Sequence, residues 1–343
     1  MNERLLSVQG AARLPRLGFL GTGWIGRHRL DAILKTGLVQ PVALADPSED
    51  MMDAALALAP EAKRCASVED LLDQDLDGLV IATPSALHAE QSIRALDRGL
   101  AVFCQKPLGR DAHEVADVVA AARRADRLLR VDLSYRQTRG MQAIRDLIRS
   151  GSLGEIFAGD LVFHNAYGPD KPWFYDKRQS GGGALIDLGV HLVDLALWTL
   201  DFPKTVSTSG RLYAKGRPIT GASPEVEDYA EARIELSTGA TVRIACSWGL
   251  HAGQDAEIRA AFHGVNGGAE MRNVGGSFYD FVTEEFHGTT RHERHAPPEE
   301  WGGLAAAAWA RDLAAEKRFD PEAEKLIAVA EVLDRIYLPD FGG

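Results

Sequence analysis

Cysteine is scarce in this chain of 343 residues, which carries three, at Cys65, Cys104 and Cys246. An odd, widely spaced set without a C-x-x-C pair argues against a disulfide framework and against a structural zinc site. We therefore expect a reducing, cytoplasmic compartment. Cys104 is interpreted as a core-packing residue rather than a nucleophile.

Long apolar runs are also missing. No run approaches the ~20 residues that span a bilayer, and the N-terminal MNERLLSVQGAARLP lacks the apolar core and cleavage site of a signal peptide. Positive charge is in deficit, with 38 Lys and Arg against 49 Asp and Glu, a net charge of −11. Because an acidic surface repels phosphate backbones and anionic lipids, we expect no nucleic-acid partner and no membrane partner.

The first half of the chain alternates two patterns after a predicted N-terminal extension over residues 1–15. Apolar runs without polar alternation, typical of strands buried on both faces of a parallel sheet, occupy 16–21, 39–46, 77–83, 100–107 and 128–135. Helical patterns lie between them at 24–37, 48–59, 85–98 and 111–125. This alternation predicts right-handed βαβ crossovers and a doubly wound α/β domain, a Rossmann fold, over residues 16–134.

The second half, residues 135–343, has a different pattern. Helices are predicted at 141–151, 184–200, 303–316 and 321–337, and strands at 155–165, 205–214, 225–236, 240–248 and 256–263. Successive strands joined by turn signals indicate a mostly antiparallel sheet. We predict an α+β domain built on an open sheet with helices on one face.

A glycine-rich motif, Gly21-Thr22-Gly23-Trp24-Ile25-Gly26, follows the first predicted strand and opens a helix. In such a fingerprint the first glycine makes the tight turn, the second lets the backbone approach a pyrophosphate, and the third allows close helix–strand packing. The helix N-terminus then offers free N–H groups to the anion. The motif predicts a dinucleotide site.

Asp46, at the end of the second predicted strand, stands where the fingerprint requires an acid. A carboxylate there accepts a hydrogen bond from the adenosine ribose 2′-hydroxyl and repels a 2′-phosphate, so we predict NAD rather than NADP. The alternative is that Asp46-Pro47-Ser48 simply starts the next helix.

Three further stretches carry candidate chemistry: Thr83-Pro84-Ser85-Ala86-Leu87-His88, Cys104-Gln105-Lys106-Pro107, and the glycine-rich segment 181–194. The first two follow strand ends, where open α/β sheets bind ligands. In the third, Asp187, His191 and Asp194 share one face of an apolar helix. The alternative is a capping, solvent-facing stripe with a satisfied core histidine.

Together these stretches resemble the glucose–fructose oxidoreductase / inositol dehydrogenase (Gfo/Idh/MocA) family over about residues 16–336. The resemblance rests on the glycine fingerprint, T-P-x-x-x-H, the Lys-Pro dipeptide after the fourth predicted strand, and G-G-G-x-L-x-D-x-G-x-H-x-x-D. It implies a Rossmann domain followed by an open-faced α/β domain. It also implies NAD(P)-dependent interconversion of a secondary alcohol and a ketone on a sugar or cyclitol, and dimers or tetramers formed through the C-terminal sheet.

The resemblance also implies roles for individual residues. Lys106, Asp187 and His191 correspond to the catalytic triad, while Asp194 and Asn165 match positions that bind substrate hydroxyls. Ser134 and Tyr135 fall where the chain crosses between cofactor and substrate, and His88 is expected beside the cofactor, orienting the Thr83-Pro84 turn.

Acid–base chemistry fits the three triad residues. Neutral His191 can accept the hydroxyl proton near pH 7, because an unperturbed imidazole has a pKa of ~6.5. Lys106 places positive charge beside the developing alkoxide. Asp187, one turn from His191, is expected to orient the imidazole. Either Lys106 or His191 is the immediate proton acceptor.

The residue before the lysine departs from the family, which usually has Glu-Lys-Pro where this chain has Gln105-Lys106-Pro107. A glutamine still accepts a hydrogen bond from a nicotinamide-ribose hydroxyl, more weakly than a carboxylate. Loss of the negative charge should lower the pKa of the lysine. We expect Gln105→Glu to stay active and to shift the alkaline limb of the pH–rate profile upward.

Polar and aromatic side chains near the predicted cleft suit a sugar substrate: Asn165, Tyr167, Trp173, Tyr175, Lys177 and Arg178. Trp173 and Tyr175 could stack on a pyranose face, the alternative being ordinary loop packing. Specificity is expected in loops at 134–139, 164–180, 248–255 and 275–295. His287, His292 and His295 are interpreted as part of a solvated loop, and we expect no metal.

Two other activities stay open. One is a lyase or glycosidase that keeps tightly bound NAD and oxidises its substrate only transiently. The other is a ligand-sensing regulator that has lost catalysis, against which the intact Lys106, Asp187 and His191 argue.

Overall fold

A computed structural model describes residues 13–338, so residues 1–12 of the expected extension lie outside the described part of the chain. The first domain is a parallel six-stranded sheet in the order β3-β2-β1-β4-β5-β6. Its strands are β1 (Arg16–Leu20), β2 (Gln40–Ala45), β3 (Lys63–Cys65), β4 (Gly78–Ile81), β5 (Ala101–Cys104) and β6 (Leu129–Val131). The strand order reverses between β1 and β4, which opens a crevice at the carboxyl ends of the strands.

Five helices cover this sheet: α1 (Trp24–Leu34), α2 (Glu49–Leu56), α3 (Val68–Leu72), α4 (Ser85–Asp97) and α5 (Ala112–Ala125). Side chains of Ser48, Ser67 and Asp111 accept the N–H three residues on and so cap α2, α3 and α5. The central strands β4 and β5 are buried along their whole length, which confirms the predicted Rossmann fold. Sequence reasoning missed β3 and α3, because both are short and β3 begins with two exposed charged residues.

The second domain is built on a nine-stranded sheet in the order β15-β14-β13-β12-β7-β11-β10-β8-β9. Its strands are β7 (Ile156–Asn165), β8 (Thr205–Ala214), β9 (Arg217–Ile219), β10 (Tyr229–Leu236), β11 (Thr241–Ser247), β12 (Ala256–Gly264), β13 (Gly268–Asn273), β14 (Phe281–His287) and β15 (Thr290–His295). Neighbouring strands are antiparallel except β7 and β11, which run parallel. The predicted mostly antiparallel sheet is confirmed.

Helices of the second half are α6 (Arg139–Arg149), α7 (Lys177–Ser180), α8 (Val190–Thr199), α9 (Leu304–Ala314) and α10 (Lys325–Tyr337). Single 3₁₀ turns form at Ser134–Gln137, Pro172–Tyr175 and Pro321–Glu324, and a π-turn at Leu185–Gly189 leads into α8. The stretch Lys177–Thr199 has the length and hydropathy of a membrane span, against expectation. Of its apolar window, 89% is buried, as in the core helix of a globular domain.

Most of the segment expected to be a loop at 275–295 forms a hairpin, β14 with β15, so that expectation is wrong for residues 281–295. Along β14 buried and half-buried residues alternate from Phe281 onward, the pattern of a strand with one face on the core. The charges that suggested a loop lie on β15, the exposed edge strand, where they discourage pairing with another chain. His287 lies 2.9 Å from a Glu285 carboxylate oxygen. No group of three metal-ligating residues forms among residues 13–338.

The chain returns to the first domain near its end. Trp309 of α9 is buried against Phe103, with ring centroids 5.8 Å apart, and Ala306 and Ala310 share that core. Helix α10 contributes Ala330 to the other core cluster of the first domain and Leu333 to the second-domain core. Residues 304–314, predicted to belong to the second domain, therefore complete the first, because the small alanines of α9 let it pack closely.

Candidate active site

A cleft of about 800 Å³ lies between the two domains. The first domain lines it with residues of the glycine turn and of the β2, β4, β5 and β6 strand ends, including Gly21, Gly23, Trp24, Ile25, Asp46, Thr83, Pro84, His88, Gln105, Lys106, Asp132 and Ser134. The second domain contributes Tyr135, Trp173, Phe174, Gly182, Gly183, Asp187, His191, Tyr279 and Trp301. The cleft thus brings most of the predicted site residues together.

The glycine turn has the geometry that a pyrophosphate requires. Gly21 adopts φ +85°, where a Cβ would lie 2.5 Å from the Ala82 carbonyl oxygen. A Cβ on Gly26 would collide with the Gly21 carbonyl, whereas one on Gly23 would meet only open space. Helix α1 has no side-chain cap, so its first N–H groups are free to bind an anion. Thr22 and Gly26 are buried behind this surface.

Asp46 holds the start of α2, which is one of the two roles weighed from the sequence. Its two carboxylate oxygens accept N–H groups from Thr22 at 2.6 Å and Ser48 at 2.9 Å, which joins the glycine turn to the start of α2. The same residue lines the cleft, so its remaining lone pairs can face a ribose. A cation stands nearby: Arg27 donates to the Thr22 carbonyl at 3.0 Å and also lines the cleft.

His88 joins two turns of the site. Its Nδ1 lies 2.6 Å from the Pro107 carbonyl oxygen and its Nε2 lies 2.7 Å from the Thr83 carbonyl oxygen. Complete burial lowers the pKa of His88, which favours the neutral ring. A neutral ring has a single N–H, so it donates to one of these two carbonyls and lies against the other, between the turn that carries Lys106 and the Thr83-Pro84 turn.

Lys106 and Asp187 form the contact at the centre of the cleft. The Lys106 Nζ donates to Asp187 Oδ1 at 2.5 Å and to the Asp187 carbonyl oxygen at 2.8 Å. The other carboxylate oxygen, Oδ2, accepts the indole N–H of Trp248 at 3.1 Å. Sequence reasoning missed Trp248, because nothing local marks a tryptophan just after β11 as a partner of Asp187.

His191 stands apart from this pair. The helix widens into the π-turn just before α8, and the Asp187 carboxylate binds Lys106 and Trp248. It makes no hydrogen bond to the His191 imidazole, so the expected orienting contact is not formed. The His191 ring lines the cleft, 7% exposed, and packs edge-to-face on Tyr135 with centroids 4.9 Å apart. Burial, reinforced by the cations Lys106 and Arg29, lowers its pKa well below 6.5 and keeps the ring neutral.

Three residues expected to bind substrate lie outside the cleft. Asn165 accepts the backbone N–H of Tyr167 at 2.7 Å, and the Tyr167 hydroxyl donates to Asp255 at 2.6 Å on the exposed surface. Asp194 is buried and accepts both arms of the Arg136 guanidinium, one of them at 2.8 Å. A buried carboxylate needs such a partner, so Asp194 serves the fold of the second domain rather than the cleft.

The aromatic residues that line the cleft differ in part from those predicted. Trp173 lines the cleft and stacks on Phe174, with centroids 3.7 Å apart. Tyr279 enters from just before β14, within the segment expected to be a loop, and Trp301 from between β15 and α9. The remaining predicted polar residues, Tyr175, Lys177 and Arg178, are not among the lining residues. The ammonium of Lys177 binds the backbone carbonyls of Gly221 and Ser223 instead.

Each of the three successive glycines before the π-turn is required for a different steric reason. Gly181 adopts φ +87° at the end of α7. A Cβ on Gly182 would collide with the Tyr337 hydroxyl, and one on Gly183 with the Glu227 carbonyl oxygen. The buried Glu227 side chain accepts the N–H groups of Gly183 at 2.8 Å and Leu185 at 3.0 Å, and the Tyr337 hydroxyl at 2.7 Å. Glu227, which sequence reasoning missed, thus holds the start of the helical segment that carries Asp187 and His191.

Two family models match successive parts of the chain. The one described as an oxidoreductase family with an NAD-binding Rossmann fold matches residues 15–133. The one described as the GFO/IDH/MocA C-terminal domain matches residues 141–270. The two matches follow the two sheets of the structure.

Individual relatives agree with these matches. The 1,5-anhydro-D-fructose reductase of Ensifer adhaerens is 28% identical over 266 residues, 76% of this chain and 77% of that protein. A levoglucosan dehydrogenase solved with NADH and levoglucosan has a TM-score of 0.81 at 19% identity, covering 94% of this chain and 96% of that one. KijD10, a 3-ketoreductase from Actinomadura kijaniata solved with NADP and TDP-benzene, has a TM-score of 0.80 at 21% identity, covering 94% and 97%. At these identities the two solved structures establish a shared fold.

Proposed function

Because the chain belongs to the Gfo/Idh/MocA oxidoreductase family, we propose that it interconverts a secondary alcohol and a ketone on a sugar, sugar derivative or cyclitol. We assign the chemistry to Lys106, Asp187 and His191. The observation that carries the proposal is the Lys106–Asp187 ion pair and the neutral His191 on one cleft with the glycine turn.

The residues of the cleft divide the proton chemistry between them. A bound nicotinamide cofactor supplies the group that accepts or returns hydride. Lys106, ion-paired with Asp187, places a positive charge beside the oxygen on which negative charge develops. His191 is neutral and faces the cleft, so we assign it as the acceptor of the hydroxyl proton. Asp187 keeps the ammonium oriented, and Trp248 keeps Asp187 in place.

The sugar class is supported by the lining and by the relatives. Trp173, Tyr279 and Trp301 present aromatic surface at the substrate end, which suits the C–H face of a pyranose or cyclitol ring. Curated relatives include a levoglucosan dehydrogenase and an inositol 2-dehydrogenase.

For the cofactor we propose NAD rather than NADP. The support is the Asp46 carboxylate in the cleft, which would repel a 2′-phosphate. Arg27 beside it favours a phosphate, and a neighbour of similar fold is solved with NADP. The test is kcat/KM with the two cofactors for the wild type and for Asp46→Ser. We expect the wild type to prefer NAD and the variant to lose that preference, whereas a wild type that prefers NADP would overturn the assignment.

The activity is tested by a screen for NADH production and thermal shift over sugars, sugar acids, glycosides and inositols. A substrate should raise Tm through mass action and yield NADH in proportion to the ketone formed. Lys106→Met serves as the inactive control. Turnover of a glycoside with bound cofactor and no net NADH would identify a lyase or glycosidase, and binding without any turnover would identify a regulator.

We also propose that the chain forms a homo-oligomer through the outer face of the nine-stranded sheet. The support is a ladder of ion pairs across that face, in which Asp160 lies 2.9 Å from both Arg243 and Arg259. Arg259 also approaches Glu270, which approaches Arg272 in turn. Two such ladders could pair face to face about a two-fold axis. Light scattering coupled to size exclusion should show a dimer or tetramer that Asp160→Lys disrupts, and a monomeric wild type would refute the proposal.

A further inference from the structure

Beside Lys106 lies a buried cluster in which Gln105 has an expected role but Asp132 and Arg29 have none. Asp132, at the residue after β6, is 1% exposed, Arg29 of α1 is 5% exposed, and Gln105 is 7% exposed. The Arg29 Nε donates to Asp132 Oδ2 at 2.5 Å, and the Gln105 amide Nε2 donates to the same oxygen. The backbone fixes both neighbours, since Gln105 N donates to Ile81 O and Asp132 N to Cys104 O, each at 2.9 Å.

Hydrogen-bond chemistry sets the orientation of the Gln105 amide. A carboxylate that is ion-paired with a guanidinium only accepts hydrogen bonds, so the glutamine must turn its NH₂ group toward Asp132. The Oε1 atom then points away from Asp132 and has no hydrogen-bond partner among residues 13–338. Because Gln105 lines the cleft, this oxygen is the acceptor that the side chain offers there.

We propose that Asp132 is a positioning residue for Gln105, and that the two act as a matched pair. In this pair the carboxylate that the family usually carries before the lysine stands on the neighbouring strand end instead. The inference rests on the proposed function, because it presumes that a cofactor or substrate hydroxyl meets Gln105. It also corrects the expectation that Gln105→Glu would simply stay active: a glutamate at this position would put a second carboxylate against Asp132.

Of the two protonation states of the glutamate in Gln105→Glu, only the protonated one fits beside the Asp132 carboxylate. Protonated, it would donate its O–H to Asp132 and present its carbonyl oxygen to the cleft, as glutamine does. Ionised, it would face Asp132 with like charge. The charged and titratable groups around it are Arg29 and His28 on α1, Asp132 after β6, Lys106 beside it in the chain, and Asp187 and His191 across the cleft. Arg29 is already paired with Asp132 and Lys106 with Asp187, so a second carboxylate has no unpaired cation beside it in the part of the chain that the structure describes.

The test is the Kd for NADH of the full-length protein, measured by fluorescence from about pH 5.5 to about pH 8.5. Gln105→Glu should bind NADH about tenfold or more weaker than wild type at the alkaline end and approach wild type at the acid end. Gln105→Met, which has neither an acceptor nor a charge, should be weak throughout. Gln142→Glu, the same substitution at an exposed position on α6, controls for surface charge and should follow wild type.

Asp132→Asn provides a second measurement, together with circular dichroism to show that the variant is folded. It should weaken NADH binding without the pH dependence of Gln105→Glu. If Gln105→Glu follows wild type at every pH, the matched pair is refuted while the proposed function stands. If the wild type binds neither NAD(H) nor NADP(H), the proposed function itself fails.

Discussion

The ammonium of Lys106, on the domain of the six-stranded sheet, lies 2.5 Å from the carboxylate of Asp187, on the domain of the nine-stranded sheet. Neither domain alone contains this ion pair. The site is therefore complete only when the two domains face each other across the cleft. The Lys106–Asp187 distance depends directly on the relative position of the domains.

The ion pair leads to a first prediction. Lys106→Met and Asp187→Asn should each lower kcat/KM by about 10²–10⁴-fold, because each removes charge stabilisation or its orientation at the reacting oxygen. Asp187→Asn should leave the Kd for NADH within a few-fold of wild type, since Asp187 stands on the substrate side. Steady-state rates and NADH fluorescence measure the two quantities. Full activity of both variants would remove the pair from the chemistry.

A second prediction concerns the Trp248 indole. Trp248→Phe keeps the ring packed on Phe174 and Tyr175 but removes the N–H that holds Asp187 Oδ2. A hydrogen bond to a charged group contributes about 1.5–3 kcal/mol, so we expect kcat to fall about 10- to 100-fold with little change in Tm. Trp198→Phe is the matched control, because the Trp198 ring packs against Arg145 away from the cleft. Equal rates for the two variants would contradict the assigned role.

A third prediction follows from the buried histidines. Burial lowers the pKa of both His191 and His88, so in the folded state they stay neutral at pH values where the unfolded chain takes up protons. Their contribution to stability is complete above about pH 6.5, the unfolded pKa, and is lost as the pH falls from there toward the lower folded pKa values. The free energy of unfolding of His191→Gln should depend less on pH over that window than that of wild type. Denaturant titrations measure it, and parallel curves would contradict the burial of a neutral ring.

The lowered pKa of His191 also sets the pH dependence of the reaction rate. With His191 as the proton acceptor, kcat/KM for alcohol oxidation should stay level as the pH drops through 6.5, because the imidazole is still unprotonated there. An acid limb centred at pH 6.5 or above would point to a different acceptor.

A fourth prediction concerns the hydrogen bonds of Glu227, which hold the start of the helical segment that carries His191. Tyr337→Phe removes one of the three donors to Glu227, and Glu227→Gln replaces the charged acceptor of all three. We expect losses of about 1 kcal/mol and about 1–3 kcal/mol in stability, respectively. If these hydrogen bonds of Glu227 also position Asp187 and His191, kcat should fall more than KM rises, and Glu227→Gln should be less active than Tyr337→Phe. Chemical denaturation and full rate curves separate the two effects.

Local patterns predicted the parts of the site that depend on local geometry. Gly21 and Gly26 have the conformation and packing that their spacing implied, and Asp46 sits beside the turn because both follow adjacent parallel strands. Trp248, Asp132 and Glu227 were missed, since each acts across a gap of tens of residues that only the tertiary fold closes. Asp194 was misassigned because the helical spacing shows a shared face but not that Arg136 already occupies the carboxylate.

The position of α9 has a consequence for how the chain is made. Trp309 fills a hydrophobic core formed by strands and helices that precede residue 130, yet it is synthesised after the whole nine-stranded sheet. The first domain to leave the ribosome must therefore wait, with part of its apolar surface uncovered, until the last helices emerge. Cofactor affinity should thus be acquired late in synthesis, and a nascent chain stalled before residue 304 should expose a surface that chaperones recognise.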